Sequence, residues 1–192
     1  MKQNQTDNIS NLAERIRRSD REAFDMLFRR WYRQLVHYAE SYVRDHSSAC
    51  DIVQDSFLSL WKNRKAIDPE KSLKAYTYMI VKNRAISVIR RSHSEIPAED
   101  VETKAEIQTQ EDAKVQQADN QLKQKFREWI DNLPERQQEA FELSRFEGLN
   151  HHEIADVMDV SPKTVNNHIV AALQQLRSDY SSYKKENQQY NA

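Results

Sequence analysis

The chain has 192 residues, enough for one medium domain or two small ones, and a formal net charge of −1 at pH 7. With one glycine, Gly148, a glycine-rich phosphate loop is excluded, and with one cysteine, Cys50, so is an intramolecular disulfide. No apolar run is long enough to cross a bilayer.

Four prolines and a single glycine leave few obligatory breaks, and the abundance of Gln, Glu, Lys, Arg, Ala and Leu favours helix. The polar start, MKQNQTDNIS, lacks the apolar centre of a signal peptide, so a cytoplasmic location is expected. A lone thiol fits that reducing compartment. The near-zero net charge conceals a segregation. Residues 1–92 hold 18 Lys/Arg against 11 Asp/Glu, a charge of +7. Residues 93–119 hold 2 against 8, or −6, and residues 120–192 hold 9 against 11, or −2. A basic lobe, an acidic strip and a near-neutral lobe follow one another, and the first suits a polyanionic partner.

In chain order, Ile9, Leu12 and Ile16 predict a short opening helix. From Asp20 to Asp45, steps of three and four place Phe24, Leu27, Phe28, Trp31, Leu35, Tyr38 and Tyr42 on one helical face. Trp31, Tyr38 and Tyr42 are expected in the core. Ser47 to Arg64 repeats the pattern with Ala49, Ile52, Val53, Phe57, Leu60 and Trp61, with Ser47 or Ser48 as N-cap. Lys65 to Ser72, containing Asp68-Pro69, reads as a loop. A further helix is expected over Leu73–Arg91, with Leu73, Tyr76, Ile80, Ile86 and Ile89 on or near its inner face.

Residues 93–119 carry scattered Ile and Val, no aromatic residue and heavy acidity, the pattern of a flexible or partly helical linker. The last lobe opens with Leu122, Phe126, Trp129, Ile130 and Leu133 at helical spacing. Pro134 opens the next helix, which carries Ala140, Phe141, Leu143, Ser144 and Phe146 and ends at Gly148. A short helix over His151–Met158, a turn at Asp159-Val160-Ser161 and a longer helix capped by Ser161 then form a helix-turn-helix. Val165, Ile169, Leu173 and Leu176 point inward along the longer helix, and the tail from Ser181 is expected to fray.

Lys163, Thr164, Asn166, Asn167 and His168 offer hydrogen-bonding groups at the start of that longer helix, where major-groove readers place them. A plain helical hairpin is the competing reading. His151-His152-Glu153 is not a metal motif, since HExxH would need His where Asp156 stands. Cys50 shows no partnered His in sequence and reads as a buried structural thiol. Neither a cofactor nor a catalytic constellation is expected.

The stretch LPERQQEAFELSRFEGLNHHEIADVMDVSPKTVNNHIVAALQQLR resembles region four of sigma factors. SACDIVQDSFLSLW resembles the polymerase-binding helix of their region two, and SLKAYTYMIVKNRAISVIRR the following segment that opens and reads the minus-ten element. The two-lobe layout points to the extracytoplasmic-function (ECF) group, and the string Ser-Pro-Lys-Thr-Val-Asn-Asn-His to a branch common in Bacteroidetes. The resemblance implies an all-α, non-enzymatic promoter-recognition factor. Its region two would span 1–92, its acidic linker 93–119, its region four 120–184 and a disordered tail 185–192. Core RNA polymerase, promoter DNA and an anti-sigma factor are the implied partners. Asp51, Gln54, Asp55 and Leu58 would face the polymerase. Lys74, Lys82, Arg84, Arg90 and Arg91 would meet the phosphates of minus-ten DNA, and Tyr76, Tyr78 and Asn83 would make base or packing contacts there. Lys163, Thr164, Asn166, Asn167, His168 and Arg177 would meet the minus-thirty-five element. The sequence departs from the family at Asp159, usually Gly, at Tyr76, usually Trp, at Ser87, frequently Asp, and at Asn166, Asn167 and His168, usually Arg or Lys. A stand-alone helix-turn-helix regulator and a helical adaptor are rival readings. The first leaves the basic lobe without a receiver fold, and the second leaves both the basic lobe and the reading helix unused.

Overall fold

A computed structural model describes residues 11–95 and 115–189, and all regular structure among them is helical. The chain divides into two compact units, the first carrying α1 to α4 and the second α5, α6, most of α7, and α8. Most of the acidic strip, and with it the expectation of a flexible linker, lies outside the described residues.

In the first unit, α1 covers 11–17, α2 is Arg21–Val43, α3 is His46–Lys62 and α4 is Leu73–Glu95. A 3-10 turn, Arg64–Ala66, opens the loop before α4. The apolar stripe of α2 packs on α3, and both pack on α4. Leu27, Trp31, Leu35 and Tyr38 of α2 are buried with Ile52, Val53, Phe57 and Leu60 of α3. Aromatic rings fill the seams: Phe28 and Phe57 stand 4.8 Å apart, Tyr38 and Tyr78 5.0 Å. Tyr42 extends the seam, its hydroxyl 3.0 Å from that of Tyr38.

Both N-caps in this unit are aspartates. Asp20 accepts from the Ala23 N–H at 3.1 Å, and Asp45 from the Ser48 N–H at 2.7 Å. Asp45 therefore caps α3, in place of the serines expected from sequence. The Ala23 N–H, followed by the Arg15 guanidinium, holds the Asp20 carboxyl below its ordinary value. The Ser48 hydroxyl and N–H do the same for Asp45. Because both pKa values are depressed on folding, the caps contribute fully above the unfolded carboxylate value of about 3.9 and are lost as pH falls through the folded value. Melting followed by circular dichroism should show a shallower acid-side loss for an Asp20→Asn, Asp45→Asn double variant, whose amides cap without titrating. Identical acid-side slopes would contradict this.

The inner face of α4 is rotated from the expected one. Leu73, Ala75, Thr77, Tyr78, Val81, Lys82 and Ala85 are buried, while Tyr76, Ile80, Ile86 and Ile89 are half-buried. Thr77 tolerates burial because its hydroxyl donates to the Leu73 carbonyl at 2.7 Å.

The second unit comprises α5 (Val115–Asp131), α6 (Glu135–Arg145), the part of α7 (His151–Met158) up to Ala155, and α8 (Pro162–Gln189). Ile130, Leu133, Phe141, Ala172 and Leu176 form a core against which Trp129 and Leu173 pack. Pro134 occupies the N-cap of α6, one position before the first helical residue expected for it. Phe146 is exposed, its ring edge-on to Phe141 at 6.1 Å. Gly148 takes the left-handed conformation (φ 65°) and turns the chain so that the Leu149 N–H returns to the Leu143 carbonyl at 3.0 Å. The helix at the C-terminus does not fray at Ser181: α8 stays helical to Gln189. Tyr180 and Tyr183 pack edge-on against Trp129 at 6.5 and 5.7 Å and tie this last part of α8 to α5.

Candidate functional site

Three surfaces collect the expected functional residues. On α3, burial of Ile52, Val53, Ser56, Phe57 and Leu60 turns the opposite face outward. Asp51, Gln54, Asp55 and Leu58 all lie exposed on that face, and Leu58 is 57% exposed although apolar. The face is not free of internal ties. Asp55 is ion-paired with Arg84 of α4, so one carboxylate joins the first surface to the second. Both partners are well exposed, so the pair adds little stability. Gln54 bonds to the Tyr32 phenol of α2. That bond favours the phenolate, but burial and the Cys50 thiol outweigh it, and the Tyr32 pKa is raised.

On α4, Asn83, Arg84, Arg90 and Arg91 are exposed, and Lys74 and Tyr76 are half-buried. Two residues expected at DNA lie on the inner face instead. Tyr78 has no exposed surface, and its ring is spent on Tyr38 and on Lys74, whose ammonium stands 5.7 Å from the centroid. Lys82 is 7% exposed, with its side chain engaged within the chain. α4 thus turns its 78/82 ridge toward its neighbours. Arg64 was not anticipated. It lies over the Trp61 ring at 4.5 Å and donates to the Ser19 hydroxyl at 2.8 Å and the Trp61 carbonyl at 2.7 Å, which fixes the start of the loop.

The third surface is the start of α8. Ser161 caps the helix, accepting from the Thr164 N–H at 3.1 Å, and its hydroxyl meets the Thr164 hydroxyl at 2.8 Å. Val165 and Ile169 are buried. Asn166 and Asn167 are exposed between them and Lys163 is exposed just before, while Thr164 and His168 are half-buried beside them. Arg177 is not part of this cluster. It lies about 21 Å along the helix from Lys163 and lines an apolar groove with Phe126, Phe146 and Tyr180.

The short helix before the turn is set by a capping box. Asn150 accepts from the His152 and Glu153 N–H groups at 2.9 and 3.1 Å, and Glu153 accepts from the Asn150 N–H at 2.8 Å. The turn keeps the left-handed geometry that suits Gly, since Asp159 has φ 54° and the Val160 N–H closes on the Ala155 carbonyl at 3.1 Å. Holding a residue with a Cβ there is strained, so Asp159→Gly is expected to stabilise the protein by about 0.5–1 kcal/mol, raising its melting temperature. A lower melting temperature would show that the Asp159 side chain compensates.

Cys50 is also not as the sequence suggested. It is half-buried, and His46 Nε2 lies 3.6 Å from its sulfur. Among the described residues no group of three or more His, Cys, Asp or Glu forms a metal site, and no helix is long and apolar enough to cross a membrane.

Comparison with known proteins matches both parts of the chain to a family. The Sigma-70 region 2 profile matches residues 27–95, and the Sigma-70, region 4 profile matches residues 123–176. The chain is 26% identical over 178 residues to an ECF RNA polymerase sigma-E factor of Haemophilus influenzae, covering 87% of this chain and 92% of that protein. It is 27% identical over 172 residues to an RNA polymerase sigma-H factor of Pseudomonas aeruginosa, covering 84% and 88%. Its fold is similar to that of CnrH solved with the cytosolic domain of CnrY (TM-score 0.64, 19% identity, 91% and 98% coverage). It is also similar to the sigma factor RpoE solved with the anti-sigma factor NepR from Bartonella quintana (TM-score 0.61, 21% identity, 82% and 96% coverage). The chain belongs to the sigma-70 family, in its ECF group, and is an RNA polymerase sigma factor that directs core polymerase to promoters.

Proposed function

We propose that the three surfaces divide the work of promoter recognition. The exposed stripe of α3, with Asp51, Gln54, Asp55 and Leu58, docks on core polymerase. Lys74, Tyr76, Asn83, Arg84, Arg90 and Arg91 of α4 meet the opened minus-ten strand. Lys163, Asn166 and Asn167 read base edges of the minus-thirty-five element, with Thr164 and His168 on phosphates. The observation that carries this reading is the burial of Val165 and Ile169. It turns three hydrogen-bonding side chains outward at the capped start of a helix. Docking would release Asp55 from Arg84, freeing the guanidinium for a phosphate as the carboxylate turns to the polymerase.

The protein acts in the cytoplasm, without catalysis of its own. An anti-sigma factor holds it inactive, as the complex of similar fold with NepR suggests. The resemblance of its Ser161–His168 string to a Bacteroidetes-like branch supports placing it there. The charge of the acidic strip suits a positively charged channel of the polymerase. Permanganate footprinting tests the α4 assignment. With Lys74, Arg90 and Arg91 changed to Ala, thymine reactivity at the minus-ten element should fall severalfold at equal occupancy of core. Normal opening would remove these residues from the interface.

A further inference from the structure

Glu40 of α2 and His46 and Cys50 of α3 stand in a row of side-chain contacts outside the residues assigned to DNA. His46 Nδ1 lies within hydrogen-bond distance of the Glu40 carboxylate, and a neutral ring that donates from Nδ1 presents Nε2 as an acceptor. Nε2 faces Cys50 Sγ at 3.6 Å, from one turn earlier on α3. His37 approaches the second Glu40 oxygen at 3.7 Å, and Tyr32 of α2 and Asp51 of α3 complete the charged and titratable surroundings. A nucleophile, a base within reach and a third group orienting the base are the parts of an activated thiol. Access is also provided, since the His46 side chain is 76% exposed and Cys50 is half-buried. A structural thiol would be enclosed and without a base.

We propose that Cys50 is a redox modification site, oxidised by hydroperoxides with His46 as base, and that the resulting adduct blocks docking on core polymerase. In the first step the thiol proton passes to His46 Nε2 and the sulfur attacks one peroxide oxygen. An S–O bond forms as the O–O bond breaks, and the sulfur loses two electrons. The departing oxygen takes the proton from Nε2 and leaves as water or an alcohol. A small thiol then condenses with the sulfenic acid, releasing water and leaving a mixed disulfide. Cys50, Gln54 and Leu58 follow i, i+4 and i+8 spacing, and Asp51 is adjacent, so the adduct stands on the docking stripe. This second half rests on the polymerase-docking reading of α3.

The experiment uses the full chain, hydrogen peroxide as oxidant and dimedone to trap the sulfenic acid, followed by intact-mass spectrometry. Trapping at Cys50 should be about tenfold slower in His46→Ala than in wild type, a modest share of what a general base supplies. Added imidazole should restore part of the rate in His46→Ala, and Glu40→Gln should fall between the two. Equal rates in wild type and His46→Ala would overturn His46 as base. Wild type capped with glutathione should bind core at least tenfold more weakly, recover with dithiothreitol, and differ from Cys50→Ser treated alike. If capped protein binds core normally while an Asp51→Lys, Gln54→Lys variant does not, the switch is overturned and docking through α3 stands. If both bind normally, the docking reading itself has failed and the switch with it.

Discussion

Replacing Asp51 and Gln54 together with lysine is expected to abolish binding to core RNA polymerase while leaving helix content unchanged. Both residues are exposed on α3, and neither contributes to the α2–α3–α4 core, so folding should tolerate the change. Two new positive charges on a docking face cost several kcal/mol through lost contacts and mismatched charge, or at least a hundredfold in affinity. Leu58→Ala offers a second reading of the same face. An apolar side chain that is 57% exposed gives little to the fold, and at an interface its loss should weaken binding about tenfold. Titration of labelled chain with core polymerase measures both. Unchanged affinity in the double variant would move the docking surface off α3.

The second large effect concerns promoter choice. Asn166→Ala or Asn167→Ala should relax preference at one upstream base pair by about 1–3 kcal/mol, since Asn pairs bidentately with adenine. Thr164→Ala should instead weaken all promoters alike, because a phosphate contact carries no base information. The second lobe carries a charge of −2 and attracts DNA poorly alone, so these differences should be read in the polymerase complex, where both lobes share one promoter. Selection from a library randomised in the upstream element separates the two patterns. Preference unaltered by either Asn substitution would assign base reading to another part of the chain.

The helix-turn-helix was legible because its signals agree. Ser161 and Pro162 open α8 after a left-handed residue, and Val165 and Ile169 keep a clean apolar spacing. The phase of α4 was not legible. Apolar and aromatic residues surround that helix, and its inner ridge includes Thr77 and Lys82, so periodicity could not choose a face. Tyr78, open in sequence to base contact or packing, lies on that inner ridge with Lys82. The caps at Asp20, Asp45 and Asn150 were readable by rule, and the Asn150-to-Glu153 spacing is a capping-box signature that the neighbouring histidines obscured. The end of α8 depends on Trp129, a partner some fifty residues earlier in sequence, which local polarity cannot report. The surroundings of Cys50 were not legible: a four-residue step from His46 is no motif by itself, and Glu40 enters only because α2 packs on α3.

The most direct measurement is transcription of a genomic DNA library by core polymerase with and without the purified chain, with start sites mapped by sequencing. The account predicts starts that appear only with the chain and share two upstream motifs at a fixed spacing, the distal one altered by substitution at Asn166 or Asn167. A chain that binds its motif equally well without core and adds no new starts would instead be a stand-alone regulator, and the account would be wrong.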